Sequence, residues 1–95
     1  MLFIDGLRVS DADRIGDAGR GFEYLLHGLN PERILSAAEA IGLGRVTLRL
    51  ATQYAKERVV FGRPIGQNQG VAHHLAKSWM QLDATNMMVR KAASH

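Results

Sequence analysis

The chain has 95 residues, of which 46% are hydrophobic and 22% are charged, and its formal net charge is +3. This composition is typical of a soluble globular domain and excludes an intrinsically disordered one. No apolar run approaches the roughly 20 residues that a membrane span needs, and Asp5, Asp11 and Asp13 rule out a secretory signal. Because cysteine is absent, disulfides and thiolate metal sites are excluded, and a cytoplasmic location is expected.

The positive charge does not by itself indicate nucleic-acid binding. Nine of the twelve basic residues are arginines, spread from Arg8 to Arg90 without a dense basic run. Dispersed arginines serve the recognition of single phosphates or carboxylates equally well. A helix-turn-helix module is disfavoured because both predicted helices are long and about ten residues link them, where three or four are usual. We therefore expect neither a nucleic-acid nor a membrane partner.

The first 21 residues differ in pattern from the rest. The stretch LFIDGLRVS places β-type residues around an Asp5-Gly6 turn signal, which favours a short strand. The following DADRIGDAGRGF has glycines at 16, 19 and 21 and is predicted to be a loop. Its spacing matches neither a Rossmann fingerprint nor a Walker motif, so a phosphate-binding turn is not predicted.

A long first helix is predicted from Asn30 to Arg58. Asn30 is a favourable N-cap, Pro31 suits the first helical position, and Glu32 suits the first turn. The preceding FEYLLHGL is long enough for about two helical turns. Apolar and small residues at three- and four-residue spacing predict one buried face. That face consists of Ile34, Ala37, Ile41, Gly44, Leu48, Ala51 and Ala55, and a second apolar stripe of Leu43, Val46, Leu50 and Tyr54.

The second helix is predicted from about Gln69 to the C-terminus. Its adjacent His73 and His74 diverge by about 100° on a helix, so no metal site is predicted. Two long helices with a short link predict an antiparallel αα-hairpin. Two helices cannot cover this much apolar surface, so we expect self-association or a larger protein. The expected inward face of the second helix consists of Ala72, Leu75, Trp79, Leu82, Val89 and Ala93, with Asn86 as its polar member.

The whole chain resembles the central segment of the acyl-CoA dehydrogenase family, in which these features follow one another in the same order. The most specific part is the Tyr-Ala-x-x-Arg-x-x-Phe-Gly string of residues 54–62, followed by Pro64-Ile65 and Gln69. The resemblance implies that residues 1–21 are the tail of the middle β-domain with its glycine-containing loop. It also implies that residues 22–95 are the first half of the C-terminal four-helix domain. The expected fold is mainly α: half of a four-helix bundle after a short β/loop segment, completed by self-association.

The resemblance also implies a chemistry, the FAD-dependent oxidation of an acyl-CoA thioester to the trans-2-enoyl-CoA in fatty acid metabolism. A carboxylate removes the α-proton, FAD accepts a hydride from the β-carbon, and an electron-transferring flavoprotein is the expected electron acceptor. The family's full chain is several times longer, so these 95 residues are expected to be a partial chain without activity of their own. The chain is expected to form a homo-oligomer, a dimer or tetramer. The open alternative is a non-catalytic helical module of that family that associates with copies of itself.

By the same resemblance, the link between the helices contacts the FAD of a neighbouring subunit. Arg58 is the leading candidate because a guanidinium at a helix C-terminus complements the dipole and binds phosphate oxygens. Helix capping alone is the alternative for Arg58. Val59, Val60 and Phe61 continue this cofactor segment, and for Phe61 the alternative is to fill the gap under the link.

Further candidates lie at the start of each predicted helix. Asn68 and Gln69 open the second helix, where backbone N–H groups and side-chain amides bind phosphate or flavin polar groups. A plain N-cap role is the alternative for Asn68. Asn30 and Arg33 match the family's substrate-contacting turn near the thioester. Glu32 stands where the isovaleryl-CoA and long-chain branches place the catalytic base, although most members use a downstream glutamate. Its alternative is simple stabilisation by the helix dipole.

Overall fold

Two long α-helices dominate the structure, a computed structural model that describes residues 1–94. Helix α1 spans Gly21–Glu57 and helix α2 spans Gln69–Ala93. Two short antiparallel strands connect them, β1 (Val59–Val60) and β2 (Arg63–Pro64). The predicted mainly α fold with two long helices is confirmed.

The chain divides into two compact units at the Asn30–Pro31 junction. Within the first unit, residues 1–20 form no strand, and their regular structure is a 3₁₀ turn at Asp11–Asp13. The strand predicted for LFIDGLRVS is therefore wrong for this structure. A strand exists only with a hydrogen-bonded neighbour, and no described segment pairs with this stretch.

Helix α1 begins well before the predicted start. The stretch FEYLLHGL joins the predicted helix, giving one helix of 37 residues from Gly21. Asn30 is therefore not the N-cap, and Pro31 lies inside the helix. Pro31 removes one internal hydrogen bond of the helix. This loss is smaller than that of ending the helix at Pro31, which would separate the two turns before it from the rest of α1. The carboxylate in the first turn is that of Glu23, which accepts hydrogen bonds from Arg20 at 2.9 and 2.7 Å. This contact raises the pKa of the Arg20 guanidinium above its ordinary value.

In the second unit, α1 from Pro31 onward and α2 run antiparallel. Gly44 lies against Leu82, whereas Thr52, further along α1, lines the same groove as Leu75, which is earlier on α2. Residues further along α1 therefore lie beside residues earlier along α2, which is the antiparallel order. This confirms the predicted αα-hairpin.

The predicted inward face of α1 is mostly confirmed. Ile41 and Ala55 are the two buried residues among those described, at 6% and 3% exposure. Ala51 is exposed, however, and the neighbouring Thr52 is half-buried in its place. Four other members of the predicted face are half-buried: Ile34, Ala37, Gly44 and Leu48.

Helix α2 begins at the predicted Gln69, but its inward face is only partly as expected. Trp79 is 63% exposed, and Ala93 is also exposed. The polar Asn86 is half-buried, as its place on that face predicted. The remaining predicted members are half-buried: Ala72, Leu75, Leu82 and Val89.

Much apolar surface stays uncovered by this pair of helices. The second stripe of α1 is exposed along its length, as expected if two helices cannot cover it. None of the described helices is long and apolar enough to span a membrane. The exposed stripe consists of Leu43, Val46, Leu50 and Tyr54.

Candidate functional site

The link between the helices is a tight β-hairpin. In β1 and β2, Val59 pairs with Pro64 and Val60 pairs with Arg63, which leaves Phe61 and Gly62 as the loop. Both loop residues have positive φ, 53° and 76°. Two such residues in succession define a type I′ turn, the loop that best matches the twist of a two-stranded hairpin.

Phe61 occupies this turn at a cost and without packing against the chain. The left-handed region costs a residue with a side chain about 1–2 kcal/mol, and asparagine or glycine is the usual occupant. The side chain of Phe61 is completely exposed, at 101%. Phe61 therefore does not fill the gap under the link, which was its alternative role.

Ile65 and Gly66 hold the link against the end of α1. The N–H of Ile65 donates to the carbonyl of Arg58 at 2.9 Å, and the N–H of Arg58 donates to Tyr54 at 2.8 Å. A Cβ at position 66 would lie 3.0 Å from the carbonyl oxygen of Ala55, so glycine permits this close approach. The hairpin is thus anchored to the last turn of α1.

Arg58 and the two valines that follow it are accessible. Side chains alternate along a strand, so Val59 and Val60 lie on opposite faces of the hairpin, and Arg58 directly precedes them. Val59 is 55% exposed and Val60 is 37% exposed. Within residues 1–94 no carboxylate forms an ion pair with Arg58. Its guanidinium is therefore available to an external anion.

Asn68 precedes α2 but does not cap it with its side chain. Its Oδ1 accepts a hydrogen bond from Nη2 of Arg63 at 2.6 Å instead. The main-chain carbonyl of Asn68 accepts from Val71 and Ala72, both at 2.9 Å. The sequence did not single out Arg63, because a contact five residues away across a turn leaves no periodic signal.

Glu32 lies well inside α1, about three turns after Gly21. The helix dipole acts on side chains within the first turn, and Glu23 occupies that place. The dipole explanation for Glu32 therefore does not apply in this structure. Asn30 and Arg33 lie on the same helix and are exposed, as is Glu32.

The predicted residues form two separate groups. Arg58–Phe61 and Asn68–Gln69 meet in the hairpin link, where Ile65 bonds to both Arg58 and Asn68. Glu32 and Arg33 lie about 25 residues earlier on α1, roughly 40 Å along a helix that rises 1.5 Å per residue. One copy of the chain cannot present both groups to the same part of a small ligand.

A groove of about 440 Å³ between α1 and α2 is distinct from both groups, since none of the predicted cofactor, substrate or catalytic residues lines it. No cluster of three metal-ligating side chains occurs among the described residues. The groove is lined by Arg45, Leu48, Arg49, Thr52, Gln53, Lys56, Leu75, Ala76 and Trp79.

Comparison with known proteins gives one consistent result. The family profile "Acyl-CoA dehydrogenase, C-terminal domain" matches residues 19–95. The chain is 40% identical over 94 residues to "Acyl-CoA dehydrogenase FadE12" of Mycobacterium tuberculosis H37Rv, which covers 99% of this chain and 24% of that protein. It is 40% identical over 92 residues to "Acyl-CoA dehydrogenase" of Bacillus subtilis, covering 97% of this chain and 24% of that protein.

A third relative is more distant. The chain is 33% identical over 92 residues to "Probable acyl-CoA dehydrogenase YdiO" of Escherichia coli K12, covering 97% of this chain and 24% of the relative. The chain thus spans about a quarter of the length of the curated relatives it matches. No solved structure matches it significantly.

Proposed function

Since this chain belongs to the acyl-CoA dehydrogenase family, we propose that it serves the FAD-dependent conversion of an acyl-CoA thioester to the trans-2-enoyl-CoA. Because it spans 24% of its relatives' length, the proposal concerns the part that these residues play. Residues 1–21 are assigned to the end of the β-domain. Residues 22–95 are assigned to the first half of the C-terminal helical domain.

The observation that carries the proposal is the chemistry of the hairpin link. The guanidinium of Arg58 has no carboxylate partner among the described residues, and the N–H groups of Gln69 and Gly70 have no acceptor there. All of these groups donate hydrogen bonds. FAD carries acceptors, the oxygens of its pyrophosphate and the carbonyls of its ring, so the residues present fit this cofactor.

Phe61 supports the same assignment. A bulky residue in the left-handed region is uncommon, and strain of this kind concentrates at functional sites. The exposed ring offers an aromatic surface for stacking on a flavin or adenine ring. Val59 and Val60 place this ring at the tip of a hairpin that is anchored to α1.

The distance along α1 favours a site shared between subunits. The hairpin link and Glu32 are roughly 40 Å apart on a straight helix. We therefore assign the link to the FAD of a neighbouring subunit in a homo-oligomer. Glu32, Arg33 and Asn30 are assigned to the acyl-CoA of their own subunit.

In the proposed reaction, Glu32 removes the α-proton of the thioester as a carboxylate base. FAD held by Arg58 and the rest of the hairpin link would supply the hydride acceptor for the β-carbon, with an electron-transferring flavoprotein as the electron acceptor. Arg33 supplies a positive charge for the CoA portion, and Asn30 supplies an amide for polar contacts. The hairpin residues hold the cofactor and take no part in proton transfer.

A second candidate function is a non-catalytic module that associates through its apolar surface. Only two described residues are buried, and a whole apolar stripe of α1 is exposed. These facts support association, but they do not explain an exposed, strained phenylalanine near Arg58, which has no carboxylate partner within residues 1–94. We therefore place the dehydrogenase assignment first.

Purification of the chain, followed by absorbance spectra with and without added FAD, separates the two functions. A flavin spectrum that copurifies with an oligomer is the result expected of the dehydrogenase part, whereas bleaching by acyl-CoA is expected once the remaining domains of a dehydrogenase are supplied. A colourless oligomer that does not take up FAD would favour the non-catalytic module.

A separate experiment tests Glu32 in an assembly whose flavin absorbance is bleached by acyl-CoA. Glu32→Gln is expected to abolish bleaching while leaving FAD uptake intact, because the amide cannot accept the proton. Glu39→Gln, also on α1, is the matched control and should bleach normally. Normal bleaching by Glu32→Gln would remove Glu32 as the base.

A further inference from the structure

The orientation of the Asn68 amide is determined by Arg63. Nη2 of Arg63 lies 2.6 Å from Oδ1 of Asn68. A guanidinium has donors and no acceptor, so the oxygen of the amide must face Arg63. The NH₂ group of Asn68 is consequently directed away from Arg63.

This contact prevents Asn68 from capping α2. Asn68 has the extended backbone of an N-cap residue, with φ −84° and ψ 128°, and asparagine is among the best N-cap residues. In a capped helix its Oδ1 would accept from the N–H of Gly70 or Val71. With Oδ1 held by Arg63, the N–H of Gly70 has no acceptor in the described part of the chain.

The result is an edge of the link that carries donors only. It comprises the NH₂ of Asn68 and the N–H groups of Gln69 and Gly70. Arg63 pairs with Val60 across the hairpin, and Arg58 directly precedes β1, so both arginines belong to the link. Neither arginine forms an ion pair within residues 1–94. Such an edge suits a group that offers acceptors only.

We propose that Arg63 is a positioning residue of the flavin site. It turns the Asn68 amide so that its donors face outward, and it keeps the first N–H groups of α2 open to the acceptor groups of FAD. This inference rests on the proposed function. Arg63 acts through Asn68, whereas Arg58 contacts the cofactor itself.

Hydrogen exchange of the Gly70 amide, measured by NMR without FAD, tests the control of Asn68. In Arg63→Met the amide is released and caps α2, so exchange at Gly70 is expected to slow about fivefold, the factor that an asparagine cap contributes. Arg63→Lys retains a donor and should exchange like the wild type. In Arg63→Met/Asn68→Ala no cap can form, and exchange should stay fast.

Unchanged exchange at Gly70 in Arg63→Met would overturn the proposal. Slower exchange that persists in the double variant would also overturn it, because the effect would then not arise from Asn68. Circular dichroism of each variant, with unaltered helix content, shows that the comparison is made between folded chains.

Titration with FAD, followed by flavin fluorescence, tests the link to the cofactor. Arg63→Met is expected to bind FAD at least about fivefold more weakly than the wild type, because binding must break the new cap. Arg63→Lys should bind normally, and so should Arg90→Met, which removes an arginine near the other end of α2. Equal affinities for the wild type and Arg63→Met would overturn the positioning role.

The two measurements separate the inference from the proposed function. If Gly70 exchange slows as expected but the wild-type chain does not bind FAD, Arg63 still controls Asn68. The flavin role and the proposed cofactor site would then both be wrong. If the wild type binds FAD but Gly70 exchange does not respond, only the positioning role is wrong.

Discussion

Gly44 of α1 lies so close to Leu82 of α2 that a Cβ at position 44 would be 2.6 Å from Cδ2 of Leu82. This is the tightest approach between the two helices among the described glycines. Two residues earlier on α1, a Cβ at Gly42 would meet nothing within 4 Å. The pair of glycines thus offers the same substitution in a packed and in an open position of one helix.

We expect Gly42→Ala and Gly44→Ala to differ in the free energy of unfolding. Alanine is favoured over glycine within a helix by about 1 kcal/mol, so Gly42→Ala should stabilise the chain by about that amount. Gly44→Ala gains the same helix propensity, but its methyl group forces the Leu82 side chain out of its rotamer, which costs about 0.5–1.5 kcal/mol. Its net effect should be near zero. Urea unfolding followed by circular dichroism measures both, and equal stabilisation would contradict the close packing.

Phe61→Asn is expected to stabilise the hairpin and weaken FAD binding. Asparagine tolerates the left-handed conformation that Phe61 adopts, which should relieve about 1 kcal/mol of strain. No packing is lost, because the phenylalanine ring is fully exposed. Thermal unfolding and FAD titration measure the two effects.

Phe61→Leu serves as the matched control for that prediction. Leucine keeps the backbone strain and loses only the aromatic ring, so stability should not change while FAD affinity falls. If Phe61→Asn does not raise the unfolding temperature, the strain assigned to position 61 is absent.

Arg58→Gln is expected to weaken FAD binding about 10- to 100-fold, because a hydrogen bond to a charged group contributes about 1.5–3 kcal/mol. Arg90→Gln removes the same charge from the last turn of α2, so it controls for the general effect of a cation at a helix end. Fluorescence titration of both variants gives the comparison. Similar affinities for the two would leave Arg58 with helix capping alone.

The exposed apolar stripe of α1 should drive self-association. Leu43→Gln/Leu50→Gln replaces two of its residues, which are 69% and 61% exposed, and is expected to shift the oligomer toward smaller species in sedimentation velocity. Arg45→Gln/Arg49→Gln alters a polar face of the same helix and should leave the distribution unchanged. An effect of the arginine pair alone would mean that association is electrostatic.

The sequence predicted the elements whose signals are local. The end of α1 at Glu57 lies within one residue of the predicted Arg58, and the start of α2 at Gln69 and the burial of Ile41 and Ala55 agree with the prediction. Helical periodicity and the breakers of the link act within a few residues. A single sequence therefore contains the information that they require.

The start of α1 was predicted wrongly because two local signals competed. Asn30-Pro31 is a strong signal for the start of a helix. The same two residues also fit inside a helix that has already begun, because Pro31 then removes only one backbone hydrogen bond. The predicted strand failed for a different reason, since residues 2–10 need a hydrogen-bonded partner that no described segment supplies. Local patterns do not report whether such a partner is present.

The amino-acid sequence by itself determined the two helices, most of the face that each turns toward the other, and the family to which the chain belongs. Only the tertiary structure decided that Phe61 adopts a left-handed conformation with an exposed ring. It also decided that Arg63 holds Asn68 away from the end of α2. The reason is physical: helix periodicity repeats along the chain, whereas the geometry of a turn and the choice of a hydrogen-bond partner depend on which groups the folded chain brings together.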